Sequence, residues 1–168
     1  LFAHNTRVGF LAFASGILCA VPTVFLIVLN GAMLGAFAWV HYQHDIAPEM
    51  WGWILPHGIT ELTAIILCGG AGLMLGVAIL RPGRRTRKEN LVLAGKEAMR
   101  VAFGVVPMFL FAGFAESFVR QSHWGLAARL WFAAATALFW IAYFGHGYML
   151  EKQAHRKTIA DALRTRSL

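Results

Sequence analysis

The stretch from Trp51 to Leu80, WGWILPHGITELTAIILCGGAGLMLGVAIL, holds one charged side chain, Glu61, in thirty residues. Roughly 20 consecutive apolar residues suffice for a helix to cross a bilayer's hydrocarbon core. The stretch exceeds that and is read as a transmembrane helix. Working outward, no Asp, Glu, Lys or Arg occurs between Val8 and Gln43, and two further apolar runs follow the central one. The candidate spans are Val8 to Val40, Ile54 to Leu80, Val101 to Val119 and Leu130 to Leu150. They are too long and too uniformly apolar for barrel strands. The predicted fold is therefore all-α, a polytopic transmembrane helical bundle of about four spans occupying residues 1–150, followed by a basic tail over 151–168. The first run holds Pro22 and Asn30-Gly31, so a kink near Pro22 and a bend or cap near Asn30 are expected. Ala32 to Trp39 would then form an extra turn or half-helix near the surface.

The averages agree. Of 168 residues 58% are hydrophobic and 14% charged, and the mean hydropathy is +0.60. Such a chain is not a solvated globule. The formal net charge of +7 is explained by its placement: seven of fifteen Lys and Arg lie between Arg81 and Arg100, and five follow Glu151. Basic residues concentrate in cytoplasmic loops. Grouping Arg7, the 81–100 loop and the tail on the inner side puts 13 of 15 there, with both ends of the segment cytoplasmic. No nucleic-acid partner is needed to account for the charge. Five of six Trp, at 39, 51, 53, 124 and 131, then fall at outer ends, where amphipathic rings favour the headgroup region. Arg84, Arg85, Arg87 and Lys88 read as a topology signal in contact with anionic lipid, and Leu91 to Arg100 as an interfacial helix. Cys19 and Cys68 lie in apolar runs and read as small core residues. Gly31 with Gly35 and Gly72 with Gly76 have the spacing that lets helices approach closely. Intramolecular packing is the first reading, a homo-oligomer the second. The chain opens Leu1, Phe2 without an initiator Met, so a longer parent is expected.

Ionisable groups inside the spans carry the functional question, because each is costly in hydrocarbon unless paired or wetted. His57 and Glu61 stand four apart and share a helix face. Counted from Ile54 at 1.5 Å per residue, Glu61 is about 10 Å deep; Glu116 is about 5 Å from the outer end of its span. With Asn30 these form a predicted polar cluster in the outer half, with Thr60 and Thr63 as hydroxyl partners. The blander reading has Glu116 snorkelling to the interface and His57 sitting in the first turn after Pro56. A zinc site built from His57, Glu61 and Glu116, aided by His41, His44 or His123, lacks any ligand motif in the sequence. No serine, phosphate-loop or paired-carboxylate signature appears, so no catalytic residue, metal or cofactor is assigned.

One string of these residues matches a known pattern. Asn5, Phe13 to Leu18, Asn30-Gly31 with Gly35, Pro56-His57-Gly58-Ile59-Thr60-Glu61-Leu62, Gly69 to Gly72 with Gly76, Pro82-Gly83 and Ala112 to Glu116 together resemble the stage II sporulation protein M family. The resemblance runs from about Asn5 to Phe118. It implies an integral inner-membrane protein that, in sporulating bacteria, acts as the scaffold of an engulfment machine whose peptidoglycan-degrading steps belong to other subunits. The positions it marks are Asn5, Asn30, Gly31, Pro56, His57, Gly58, Glu61 and Glu116. Many relatives have two Asn where this chain has His4-Asn5. The expected function is a non-enzymatic membrane scaffold for cell-envelope partners, its polar cluster either fixing helix packing or receiving a partner's segment. The alternatives are a transporter or channel component using the His/Glu/Asn cluster, and an intramembrane metallohydrolase.

Overall fold

A computed structural model describes residues 2–166, the side chains of 120 and 160–166 excepted. Five α-helices and one short 3-10 turn account for nearly all of it. The order is α1 (Phe2–Ala14), the turn Ser15–Ile17, α2 (Val21–Gln43), α3 (Ala47–Leu80), α4 (Arg87–Gln121) and α5 (Leu126–Arg166). Among the described residues there is no strand, and four helices, α2 to α5, are long and apolar enough to cross a membrane.

Helix α3 is the hub against which α1, α2, α4 and α5 all pack. Its small residues explain why. Gly69 receives the Ile27 side chain of α2, Gly72 the Ala12 carbonyl and Thr23, and Gly76 the backbone of Ala20. A β-carbon at Gly72 or Gly76 would collide with those backbones. The mid-bundle core joins Ala64, Ile65 and Cys68 of α3 to Val105, Met108 and Phe109 of α4, with Trp140 of α5 against it. Cys19 and Cys68 are both unpaired, and Cys68 is fully buried.

The first apolar run departs from expectation. It is two antiparallel helices, not one kinked span. The chain breaks at residues 15–20, upstream of Pro22, where Cys19 and Ala20 take φ of 57° and 61°. Pro22 sits in the first turn of α2, where its missing N–H costs nothing. The break is fastened by Thr23 Oγ1 donating to the Ala12 carbonyl at 2.7 Å, which satisfies an acceptor freed at the end of α1. Asn30-Gly31 makes no bend: α2 runs through it to Gln43, so Ala32 to Trp39 is no separate half-helix. The turn dipeptide is overridden by its helical neighbours.

This hairpin moves Arg7. Phe2 N–H donates to Glu116 Oε2 at 3.0 Å, which places the start of α1 near the C-terminal end of α4. The connection between α3 and α4 lies at the other end of the bundle. Helix α5 runs alongside α3, with Leu126 at Gly52 and Trp140 at Thr60, and so ends on the side of that connection. The two ends of the segment thus lie at opposite ends of the bundle, and Arg7 does not share a side with the 81–100 loop. The reversal is upstream of α2, so the order of the later helices is unchanged.

Two further boundaries shift. Helix α4 starts at Arg87 on a capping box, in which Glu89 N–H donates to Thr86 Oγ1 and Thr86 N–H to Glu89 Oε2. It continues unbroken, so Leu91 to Arg100 is the first part of α4 and not a separate helix. Asn90 Nδ2 donates to the Ala78 carbonyl at 2.9 Å and ties the start of α4 to the end of α3. Helix α5 likewise continues past Leu150 into the basic tail.

Candidate functional site

Helices α1, α2 and α3 line an open-sided cavity of about 530 Å³ in the half of the bundle away from the α3–α4 connection. Its polar wall consists of His4 and Asn5 from α1, Asn30 and His41 from α2, and His57 and Glu61 from α3. Met33, Leu34, Phe37, Met50, Trp53 and Leu62 supply much of the remainder. The α1–α2 hairpin builds this wall: by reversing at residues 15–20 it returns Asn30 to the level of Asn5.

His57 and Glu61 do share a buried face of α3, at 4% and 2% exposure. Helix α3 begins at Ala47, so Pro56 is internal and His57 lies in the third turn, not in a capping position. The Asn5 side chain reaches the Glu61 carboxyl, with His4 and Glu116 close enough to be felt electrostatically. Oε1 of Glu61 is nonetheless buried without a hydrogen-bond partner. The hydroxyls expected to serve Glu61 are used elsewhere. Thr60 Oγ1 accepts from Trp140 Nε1 at 2.8 Å, and Thr63 Oγ1 donates to the Ile59 carbonyl.

Glu116 is not part of the cavity wall. It is half-buried and accepts the Phe2 N–H, so it anchors the start of α1 to α4. Among the described residues no three His, Cys, Asp or Glu side chains converge as a metal would require. His57, Glu61 and Glu116 thus do not form the ligand set considered from sequence. His44 and His123 are exposed in the connections between helices.

The remaining marked positions divide. Pro56 and Gly58 are buried in α3, and Gly58 lines the cavity. Gly72 and Gly76 pack inside the bundle as expected, whereas Gly31 and Gly35 face open space and do not serve intramolecular packing. Arg84, Arg85, Arg87 and Lys88 are all exposed at the α3–α4 connection.

The polar residues of α1, α2 and α3 belong to one pattern. The family model for stage II sporulation protein M matches residues 1–121. The chain belongs to the stage II sporulation protein M family. The match takes in α1 to α4, and with them every residue of the cavity wall. No curated protein and no solved structure matches the chain significantly. In this family member, sequence reasoning missed His4, His41 and Trp53 as wall residues. His4 and His41 come from elements whose placement depends on the hairpin, and Trp53 was read only as an interfacial anchor.

Proposed function

We propose that this stage II sporulation protein M family member is a non-enzymatic scaffold in the plasma membrane that organises cell-envelope membrane proteins. The supporting observation is Arg7. It is exposed on α1 within two residues of Gly9, and Gly9 packs on Phe109 and Cys68 in the mid-bundle core. It has no ion pair among the described residues and is absent from the cavity wall. A cation at such depth costs about 2.5–3.5 kcal/mol on insertion scales. An acidic group on a neighbouring membrane protein offsets that cost, and Arg7 offers the contact.

The rest of the bundle fits the same reading. Thr60 with Trp140, Glu116 with the Phe2 N–H, and Asn5 with Glu61 each join different helices, so the polar groups hold the bundle together. Helices α2 and α5 leave broad apolar faces uncovered, and Gly31 and Gly35 keep one of them open to close approach. The basic α3–α4 connection and the end of α5 are assigned to the cytoplasm. Twelve of fifteen Lys and Arg lie there by chain position, against Arg7, Arg120 and Arg129 elsewhere.

Cross-linking in native membranes followed by affinity purification tests the proposal. Envelope-remodelling membrane proteins should be recovered in stoichiometric amounts. Arg7→Gln should reduce that recovery without lowering the melting temperature. Undiminished recovery with Arg7→Gln, or Glu61-dependent ion flux in proteoliposomes, overturns it in favour of a different role.

A further inference from the structure

The α1–α2–α3 cavity contains a buried acceptor with nothing to accept from. Glu61 is 2% exposed, and its Oε1 meets no donor among the described residues. A buried polar atom in this state costs about 1–3 kcal/mol, more if charged. Glu116 adds negative potential and His4 positive, and the wall holds no Lys or Arg. Beyond Glu61 the wall turns apolar and aromatic, through Leu34, Phe37, Met50 and Trp53. At about 530 Å³ the space falls within the roughly 300–1,000 Å³ of small-molecule sites.

We propose that this cavity binds a small organic ammonium with an apolar or aromatic body, its N–H donating to Glu61 Oε1. An acyl chain alone would leave the carboxyl oxygen unsatisfied. An anion would face both Glu61 and Glu116. An ammonium supplies the missing donor with a full positive charge, and such charge-assisted bonds are the stronger kind. Phe37 and Trp53 supply aromatic surface to the cation or to an aromatic body. Asn5 and Asn30 give further polar contacts that orient the head group. The site is independent of Arg7, which is not part of its wall, and does not rest on the scaffold reading.

Tritiated 2-phenylethylamine is the probe, with 2-phenylethanol and phenylacetate as competitors sharing its skeleton and differing in head group. Binding is measured by scintillation proximity on the full chain in detergent, with folding checked by size-exclusion chromatography. One saturable site per chain is expected, and the alcohol and the acid should each compete at least about tenfold more weakly than unlabelled amine. Glu61→Gln should raise Kd at least about tenfold, and Leu34→Trp, which fills the cavity from α2, should abolish binding. A folded wild-type chain without a saturable site overturns the proposal. So does an acid or alcohol that competes as well as the amine. Full binding by folded Glu61→Gln or folded Leu34→Trp overturns it equally. If neither variant folds, the head-group series on the wild type decides alone.

Discussion

At the scale of single residues, burial ranks the polar groups. Glu61 is enclosed between α1, α2 and α3, whereas Glu116 is half-buried and its bond to α1 is made to a main-chain N–H. Glu61→Ala opens a polar-walled void and strips Asn5 of its contact; Glu116→Ala frees the Phe2 N–H close to the bundle's end. We expect Glu61→Ala to lower the detergent melting temperature more than Glu116→Ala, and equal, negligible losses would refute a buried role for Glu61. Trp140→Phe keeps most of the ring's packing and removes its donation to the fully buried Thr60. It should cost about 1 kcal/mol, measured as a shift in unfolding midpoint. Glu61 was legible as important because a lone carboxylate in an apolar run is expensive wherever it points. Its partner was not legible, since Asn5 lies 56 residues away on a helix that the hydropathy pattern merges with the next.

At the scale of elements, the α1–α2 hairpin and the stripe of α3 that receives it depend on each other. Gly72 and Gly76 admit the backbones of Ala12 and Ala20, and a methyl group at either site meets main chain that cannot rotate away. Gly76→Ala should therefore cost about 1–3 kcal/mol through overpacking. Gly31→Ala and Gly35→Ala, facing open space, should leave the melting temperature of the purified chain unchanged. A comparable loss at all three would mean that α2 packs by its other face. Thr23→Val tests the fastening itself, since it deletes the bond to the Ala12 carbonyl at nearly constant volume. The spans of α3, α4 and α5 were readable because long apolar runs have one economical conformation in a membrane. The break in the first run was not, because Pro22 and Asn30-Gly31 are the conspicuous local signals and neither is where the chain turns. The turn sits at Ser15 to Ala20, where Ser15-Gly16 is a turn-type dipeptide masked by the apolar residues on either side; it reverses because the Gly-lined face of α3 rewards a close return and Thr23 satisfies the freed carbonyl.

At the scale of the whole molecule, charge and tryptophan placement predict an orientation that labelling can test. In a background lacking native cysteines, His44→Cys should react with a membrane-impermeant thiol reagent in intact cells, and Arg84→Cys only after lysis. The reverse pattern would invert the assignment. What the sequence determined by itself was that this chain lives in a membrane, as helices, and which end gathers the basic residues. Those conclusions follow from the cost of exposing charge to hydrocarbon, and that cost depends on composition along the chain and not on which helices meet. What only the tertiary structure decided was the reversal at residues 15–20, the position of Arg7, and the cavity beside Glu61. Each depends on distant segments coming together: Phe2 with Glu116, Asn5 with Glu61, Ala20 with Gly76. Local hydropathy is silent on such pairings, because every face of an apolar helix is equally acceptable to lipid until a small residue or an unmatched polar atom makes one face better suited to protein.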